Sequence, residues 1–178
     1  MLSRRDFVKG LALGVAAVTS GTAFSQQTVL TPYALDMQRR GERFLLDLRT
    51  TDGLKAAAWL LRDIQAGNVI GRPNTDTLRL AAWAQAALAA QGAHSVFDIH
   101  SGLRTLSTNL KTEGHHQNSR HLPNLAMVFS AIDLNPIGIN KEYFGNLIAQ
   151  PKFGGVGWYS THIHFDVRER PTYWRKGV

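Results

Sequence analysis

The hydrophobic pattern of the chain changes period near residue 95, and that change limits the folds open to it. The segment NTDTLRLAAWAQAALAAQ at 74–91 is alanine-rich, with Asn74 placed to cap it after Pro73 and Gly92 placed to stop it, which predicts a helix. Apolar residues at helical spacing from 54 to 66, ended by Gly67 and Asn68, predict an earlier one, and RFLLDLR at 43–49 predicts a short strand and turn before that. After residue 95 the segments SVFDIHSG, LAMVFSAIDL, GGVGWYS and HIHFDVR read as strands, interrupted by one helix over 141–149. Helices followed by a run of strands predict an α+β domain, with N-terminal helices packed on a mostly antiparallel sheet. Trp59, Leu60, Leu80 and Trp83 are expected in its core. No repeat, low-complexity tract or long linker divides it.

Residues 1–25 stand apart from that domain. Arg4 and Arg5 precede an apolar run at 11–18, which closes on Ala23-Phe24-Ser25. The run is far shorter than the ~20 residues that span a bilayer, and the order of basic, apolar and small residues is that of an export signal. The paired arginines followed by Asp6, Phe7 and Lys9 resemble the twin-arginine type. The expectation is cleavage after Ser25, a single mature domain over 26–178, no stable membrane insertion after cleavage, and a periplasmic location. The mature part keeps 17 Lys and Arg (20 less three) against 12 Asp and Glu (13 less one), a net charge of +5. Such a surface attracts polyanions. Nucleic acid is not expected outside the cytoplasm, so the anionic cell-wall polymer is the natural partner; a basic surface that serves only solubility explains the same charge. There are no cysteines, so a metal would have to be held by His, Asp or Glu.

The stretch THIHFDVR at 161–168 carries the candidate chemistry. Side chains alternate across a strand, so His162, His164 and Asp166 share one face while Ile163, Phe165 and Val167 turn to the core. A solvated polar face has the same pattern, and other features have to decide. These are SGLRT at 101–105, NSRH at 118–121, GGVGWY at 154–159 and HFD at 164–166. Together and in this order they resemble the murein endopeptidase K family, a branch of the M15-like D-Ala-D-Ala metallopeptidase group, over about residues 60 to 174. The resemblance implies a Hedgehog/D-Ala-D-Ala-peptidase-like fold, one zinc ion, and hydrolysis of peptide bonds in the stems or cross-links of peptidoglycan. It also implies His121 and His164 as zinc ligands and Arg104 as the arginine that stabilises charge developing on the attacked carbonyl. Asp166 would orient a ligand imidazole or take a proton, and Ser119 would play a supporting role.

At one place the chain departs from the family's pattern, which puts a glycine three residues and a ligand aspartate seven residues after the first histidine. Here those positions hold Asn124 and Val128. Valine has no lone pair for zinc, and a catalytic zinc normally takes three protein ligands. Asp133 lies five residues beyond Val128, an odd offset that predicts the opposite face of a regular strand and makes it a poor substitute. His162, on the same face as His164, is expected to complete the set with His121 or to move a proton beside it; His115 and His116 are further candidates. Two other readings follow from the missing aspartate: a catalytically inactive relative that binds peptidoglycan stems, and a fold reused for another periplasmic ligand. The glycines of GGVGWYS are expected to permit close backbone approach, with one of Trp158 and Tyr159 flanking substrate and the other packing. RERPTYWRKG at the C-terminus would either pack as a tail or contact wall glycans. His100 is expected as a buried strand residue near Arg104, and His94 has no partner pattern.

Overall fold

In the computed structural model, which describes residues 33–112 and 116–177, the chain first forms a hairpin, β1 (Ala34–Arg39) antiparallel to β2 (Glu42–Asp47). Arg40 and Gly41 join them at φ 51° and 83°, the left-handed pair that a tight two-residue hairpin turn requires. The export signal expected over 1–25 and the candidate His115 lie outside the described residues.

Helix α1 (Thr51–Leu60) follows at once, its N-terminus closed by Thr50, whose hydroxyl accepts from Gly53 N at 3.0 Å. A side chain at Gly53 would run into the Asp47 carbonyl, so this glycine lets the helix turn directly off the end of β2. The helix stops at Leu60 rather than continuing to 66. Residues 61–69 instead fold into a turn closed by a bridge between Asp63 and Val69, with Gly67 and Asn68 at positive φ. Helix α2 (Thr75–Ala90) begins where the sequence predicts, with Asn74 Oδ1 accepting from Asp76 N at 2.8 Å. Beyond it come β4 (Phe97–Ser101), the short helix α3 (Leu106–Lys111), β6 (Ala131–Pro136), α4 (Lys141–Ala149), β7 (Gly154–Tyr159), β8 (Ile163–Val167) and β9 (Thr172–Lys176). The remaining strands, β3 (Arg72–Pro73) and β5 (Val128–Phe129), pair only with each other.

The main sheet has the order β2-β1-β4-β6-β8-β7-β9. Four of its six neighbour pairs are antiparallel, and β1/β4 and β7/β9 are parallel. The domain is therefore α+β with a large, mostly antiparallel sheet. Helices α1, α2 and α4 pack against it. Leu35, Met37, Phe97, Ile132, Leu134, Ile163 and Phe165 meet the helices from the sheet side and are fully shielded from water; each contributes about 1.5–3 kcal/mol of burial. Phe97 and Phe144 of α4 meet edge to face at 5.1 Å.

Leu60 and Leu80 are core residues as expected, and Trp83 packs against the core partly buried. Trp59 is not: it is exposed, covers the Arg62 guanidinium at 3.8 Å and donates from Nε1 to Glu42 Oε2. Helical spacing placed it on the inner face, but the polar indole nitrogen and the arginine beside it are satisfied at the surface. The C-terminal segment packs, adding β9 parallel to β7. No helix among the described residues is long and apolar enough to cross a membrane.

Candidate metal centre

The register of the sheet builds the site. Strand β6 pairs with β8 so that Asp133 lies opposite His164, and with β4 so that Asp133 lies opposite Ser101. Directly opposed residues on neighbouring strands point to the same face, so Asp133 and His164 project together from the face away from the helices. His121 arrives from the loop that carries NSRH. Ser119 Oγ accepts from His121 N at 3.3 Å, and Arg104 N donates to His121 O at 3.0 Å, which ties this loop to the SGLRT turn.

Three side chains converge there: His164 Nδ1 lies 2.7 Å from Asp133 Oδ1, His121 Nε2 lies 3.1 Å from the same oxygen, and the two nitrogens are 3.2 Å apart. His121 and Asp133 are each 2 % exposed and His164 8 %. Zinc bonds of about 2.0–2.2 Å to nitrogen and oxygen place tetrahedral neighbours about 3.3 Å apart, so this triangle has the size of a three-ligand zinc face.

The outer hydrogen bonds give the same answer. His121 Nδ1 meets the Gly102 carbonyl at 2.5 Å, and a carbonyl can only accept, so Nδ1 carries the proton and Nε2 presents its lone pair. His164 Nε2 meets Asp166 Oδ2 at 3.0 Å, which leaves Nδ1 for the cluster. Arg104 Nη2 takes Asp133 Oδ2, leaving Oδ1. Each candidate ligand is thus oriented by a partner on its far side, as metal-binding imidazoles and carboxylates are, with His121 Nε2, His164 Nδ1 and Asp133 Oδ1 facing one another. The residues fit a zinc ion.

The groups of the cluster are shifted in different directions. Burial pushes the Asp133 carboxyl up, but His121 and His164 outweigh it and hold the group well below its ordinary value. Burial lowers His164, yet its hydrogen bonds to Asp133 and Asp166 prevail and raise it to about 9. His121 is lowered, by burial first.

The third side chain of the triangle is Asp133, and His162, expected there, lies beside it. The odd offset from Val128 misplaces Asp133 because the two residues do not share a strand. Val128 belongs to β5, in the small sheet with Arg72, and the chain breaks at Ser130 before β6 begins. The residues between His121 and β5 fold into a turn in which Asn124 Oδ1 accepts from Ala126 N and Val128 N, and Met127 adopts φ 58°. That turn and β5 together separate His121 from β6 and Asp133.

His162 stands beside the cluster, just ahead of β8. Its ring stacks on Tyr159 at 4.5 Å and 12°, its Nδ1 lies 2.9 Å from Thr161 Oγ1, and its Nε2 lies 3.7 Å from Asp133 Oδ1. Burial pushes its pKa down to about 4, with Asp133 opposing, so the ring is neutral at pH 7. Asp166 is fully buried on the far side of His164. Of the two roles left open for it, the geometry fits orientation of the imidazole. Arg104 also donates from Nε to Ser101 Oγ at 2.9 Å. His116 is exposed and caps its own loop by accepting from Asn118 N. His100 is exposed rather than buried, with its ring 5.6 Å from that of His162; Phe97 and Ile99 take the inward positions of the strand, so alternation turns His100 outward. Trp158 packs, 6 % exposed, while Tyr159 lines the site.

A protein-family model described as Peptidase M15 matches residues 53–166, more than half of the chain's 178 residues. No curated protein and no solved structure matches.

Proposed function

Because the chain belongs to the peptidase M15 family, we propose that it is a zinc-dependent peptidase that cuts peptide bonds in the stems or cross-links of peptidoglycan, outside the cytoplasm. The observation that carries the reading is the convergence of His121 Nε2, Asp133 Oδ1 and His164 Nδ1, with all mutual distances between 2.7 and 3.2 Å. The motifs that resemble murein endopeptidase K, the expected twin-arginine signal and the basic charge of the mature part support the substrate and the location. The same motifs support a Hedgehog/D-Ala-D-Ala-peptidase-like arrangement of the sheet.

His121, Asp133 and His164 would hold the zinc. Bound there, the ion supplies Lewis acidity toward the scissile carbonyl and makes water a better acid. His162 presents Nε2 to the same space and is neutral, so it is the group placed to take a proton from the attacking water and return it to the leaving amine. Stacking on Tyr159 and the contact with Thr161 hold its ring in that attitude. Arg104 carries more N–H groups than Ser101 and Asp133 use, so it can also stabilise charge growing on the carbonyl oxygen. Asp166 orients the His164 ring.

The test is elemental analysis of protein purified without chelator, with muropeptide analysis of digested peptidoglycan. About one zinc per chain and chelator-sensitive release of peptides are expected. No zinc after incubation with excess would overturn the metal reading; bound zinc with intact peptidoglycan and cleavage of some other peptide would overturn the substrate. The inactive, stem-binding reading began from the missing carboxylate at Val128. Asp133 supplies a carboxylate, and no observation at the site favours that reading now.

A further inference from the structure

We propose that Arg168 is a positioning residue for the metal centre, fixing Asp166 and through it the direction in which His164 presents Nδ1. The proposal rests on reading the cluster as a metal site, and it concerns a residue just beyond the stretch 53–166 matched by the family model.

Residues 164, 166 and 168 follow one another along β8 and its extension. Arg168 Nε donates to Asp166 Oδ1 at 2.7 Å and Nη2 donates to Oδ2, a two-pronged grip on the carboxylate. Oδ1 also accepts from Gly155 N at 3.2 Å, and Oδ2 accepts from His164 Nε2 at 3.0 Å. A planar fork on a planar carboxylate fixes rotation as well as distance. Asp166 therefore cannot turn about its terminal bond without losing both prongs, and the imidazole that donates to it inherits the constraint.

The arginine is itself held. Its guanidinium carbon lies 5.4 Å from the centre of the Trp174 ring, and Trp174 Nε1 donates to Tyr159 Oη at 3.0 Å. Space for this chain of contacts comes from the glycines of β7. A Cβ at Gly155 would stand 2.7 Å from both Arg168 Nη2 and Asp166 Oδ2, and one at Gly157 would stand 2.5 Å from the Trp174 ring. Two of the three glycines in GGVGWY thus leave room for Arg168, Asp166 and Trp174, which are the groups whose close approach the motif permits. An ion pair serving only the fold would need neither the fork nor a carboxylate shared with a candidate ligand.

The experiment measures zinc affinity by competition with a chromophoric chelator, and the visible spectrum of the cobalt-substituted protein, for wild type, Arg168→Gln and Arg168→Lys. Loss of an outer partner of a ligand weakens metal binding about 10–100-fold; Arg168 acts one bond further out, through Asp166, so a loss at the lower end, about 10-fold, is expected for Gln, with shifted cobalt bands, and a smaller loss for Lys, which keeps the charge and loses the fork. A pair that matters only to folding would lower the melting temperature in chelator while leaving affinity and bands at wild-type values, and that result overturns the proposal. Should the Gln variant not fold, Lys decides alone, wild-type affinity and bands again overturning it. Wild type that binds no zinc sinks the metal reading and this inference with it; wild type that binds while both variants match it sinks only the role of Arg168.

Discussion

Replacing Asp133 by Asn tests whether this residue is the third ligand. The substitution keeps shape and leaves no cavity, but it swaps a charged oxygen 2.7 and 3.1 Å from two imidazole nitrogens for a neutral amide. Zinc sites in small domains are worth about 10–16 kcal/mol. If three protein ligands share the lower figure, losing one removes roughly 3–4 kcal/mol, or two to three orders of magnitude in Kd at about 1.4 kcal/mol per tenfold. Arg104 loses its ionic partner as well, but with its side chain 17 % exposed water can reach it, so the protein should fold. Chelator competition at pH 7.5 reads the affinity. Val128→Asp is the companion: its carboxylate would lie in the small sheet opposite Arg72, so it should neither tighten wild-type binding nor rescue Asp133→Asn. Wild-type affinity in Asp133→Asn, or rescue by Val128→Asp, would refute the reasoning, since either would mean that the strand register does not define the ligand set.

His162→Ala should keep zinc at wild-type stoichiometry while lowering kcat by about 10²–10⁴, the usual range for a lost proton-transfer group; zinc lost together with activity would make His162 a ligand instead. Asp63 joins the turn at 61–69 to the loop of Arg104, accepting from Gln65 N and Ala66 N through Oδ1 and from Thr105 N through Oδ2. Burial pushes its pKa up, but these bonds prevail and hold it below 3.8. Its stabilisation is therefore complete above the unfolded carboxyl's pKa and lost as pH falls through the lower folded value. Asp63→Asn should cost about 1–3 kcal/mol at pH 7 and less at pH 3, below the unfolded carboxyl's 3.8; urea midpoints showing an equal cost at both would contradict this. Gly157→Ala should destabilise by about 1–3 kcal/mol through overpacking against Trp174, and thermal melts of the double variant with Trp174→Ala should show the two changes to be non-additive.

Much of the fold is legible in local pattern. The cap at Asn74, the alternation in β8 and the helix over 141–149 each depend on neighbours within a few residues, and each is found where the sequence predicts. His121 and His164 are legible because their motifs are short. What fails depends on partners distant in sequence. β9 exists because β7 accepts it, and β1 because β2 folds back onto it. The indole of Trp59 points outward because Glu42 and Arg62 satisfy it there, which no helical pattern reports. Asp133 is hidden for a related reason: counting from Val128 assumes one continuous strand, and the break at Ser130 restarts the alternation.

The strand register also explains how the site tolerates a changed spacing. Asp133 is twelve residues from His121 where the resemblance leads one to expect seven, yet its position relative to His164 is set by the pairing of β6 with β8, not by the length of chain leading into β6. The residues between His121 and β6 form the Asn124 turn and the pairing of β5 with β3, both outside the main sheet. His121 is then secured by bonds of its own loop to Gly102, Arg104 and Ser119. Insertions between β5 and the His121 loop should therefore leave the triangle intact, whereas a one-residue insertion within β6 would turn Asp133 toward the core face and abolish it. Linear spacing between ligands is a weak guide to such a site; the residue paired across the sheet from a ligand histidine is a stronger one.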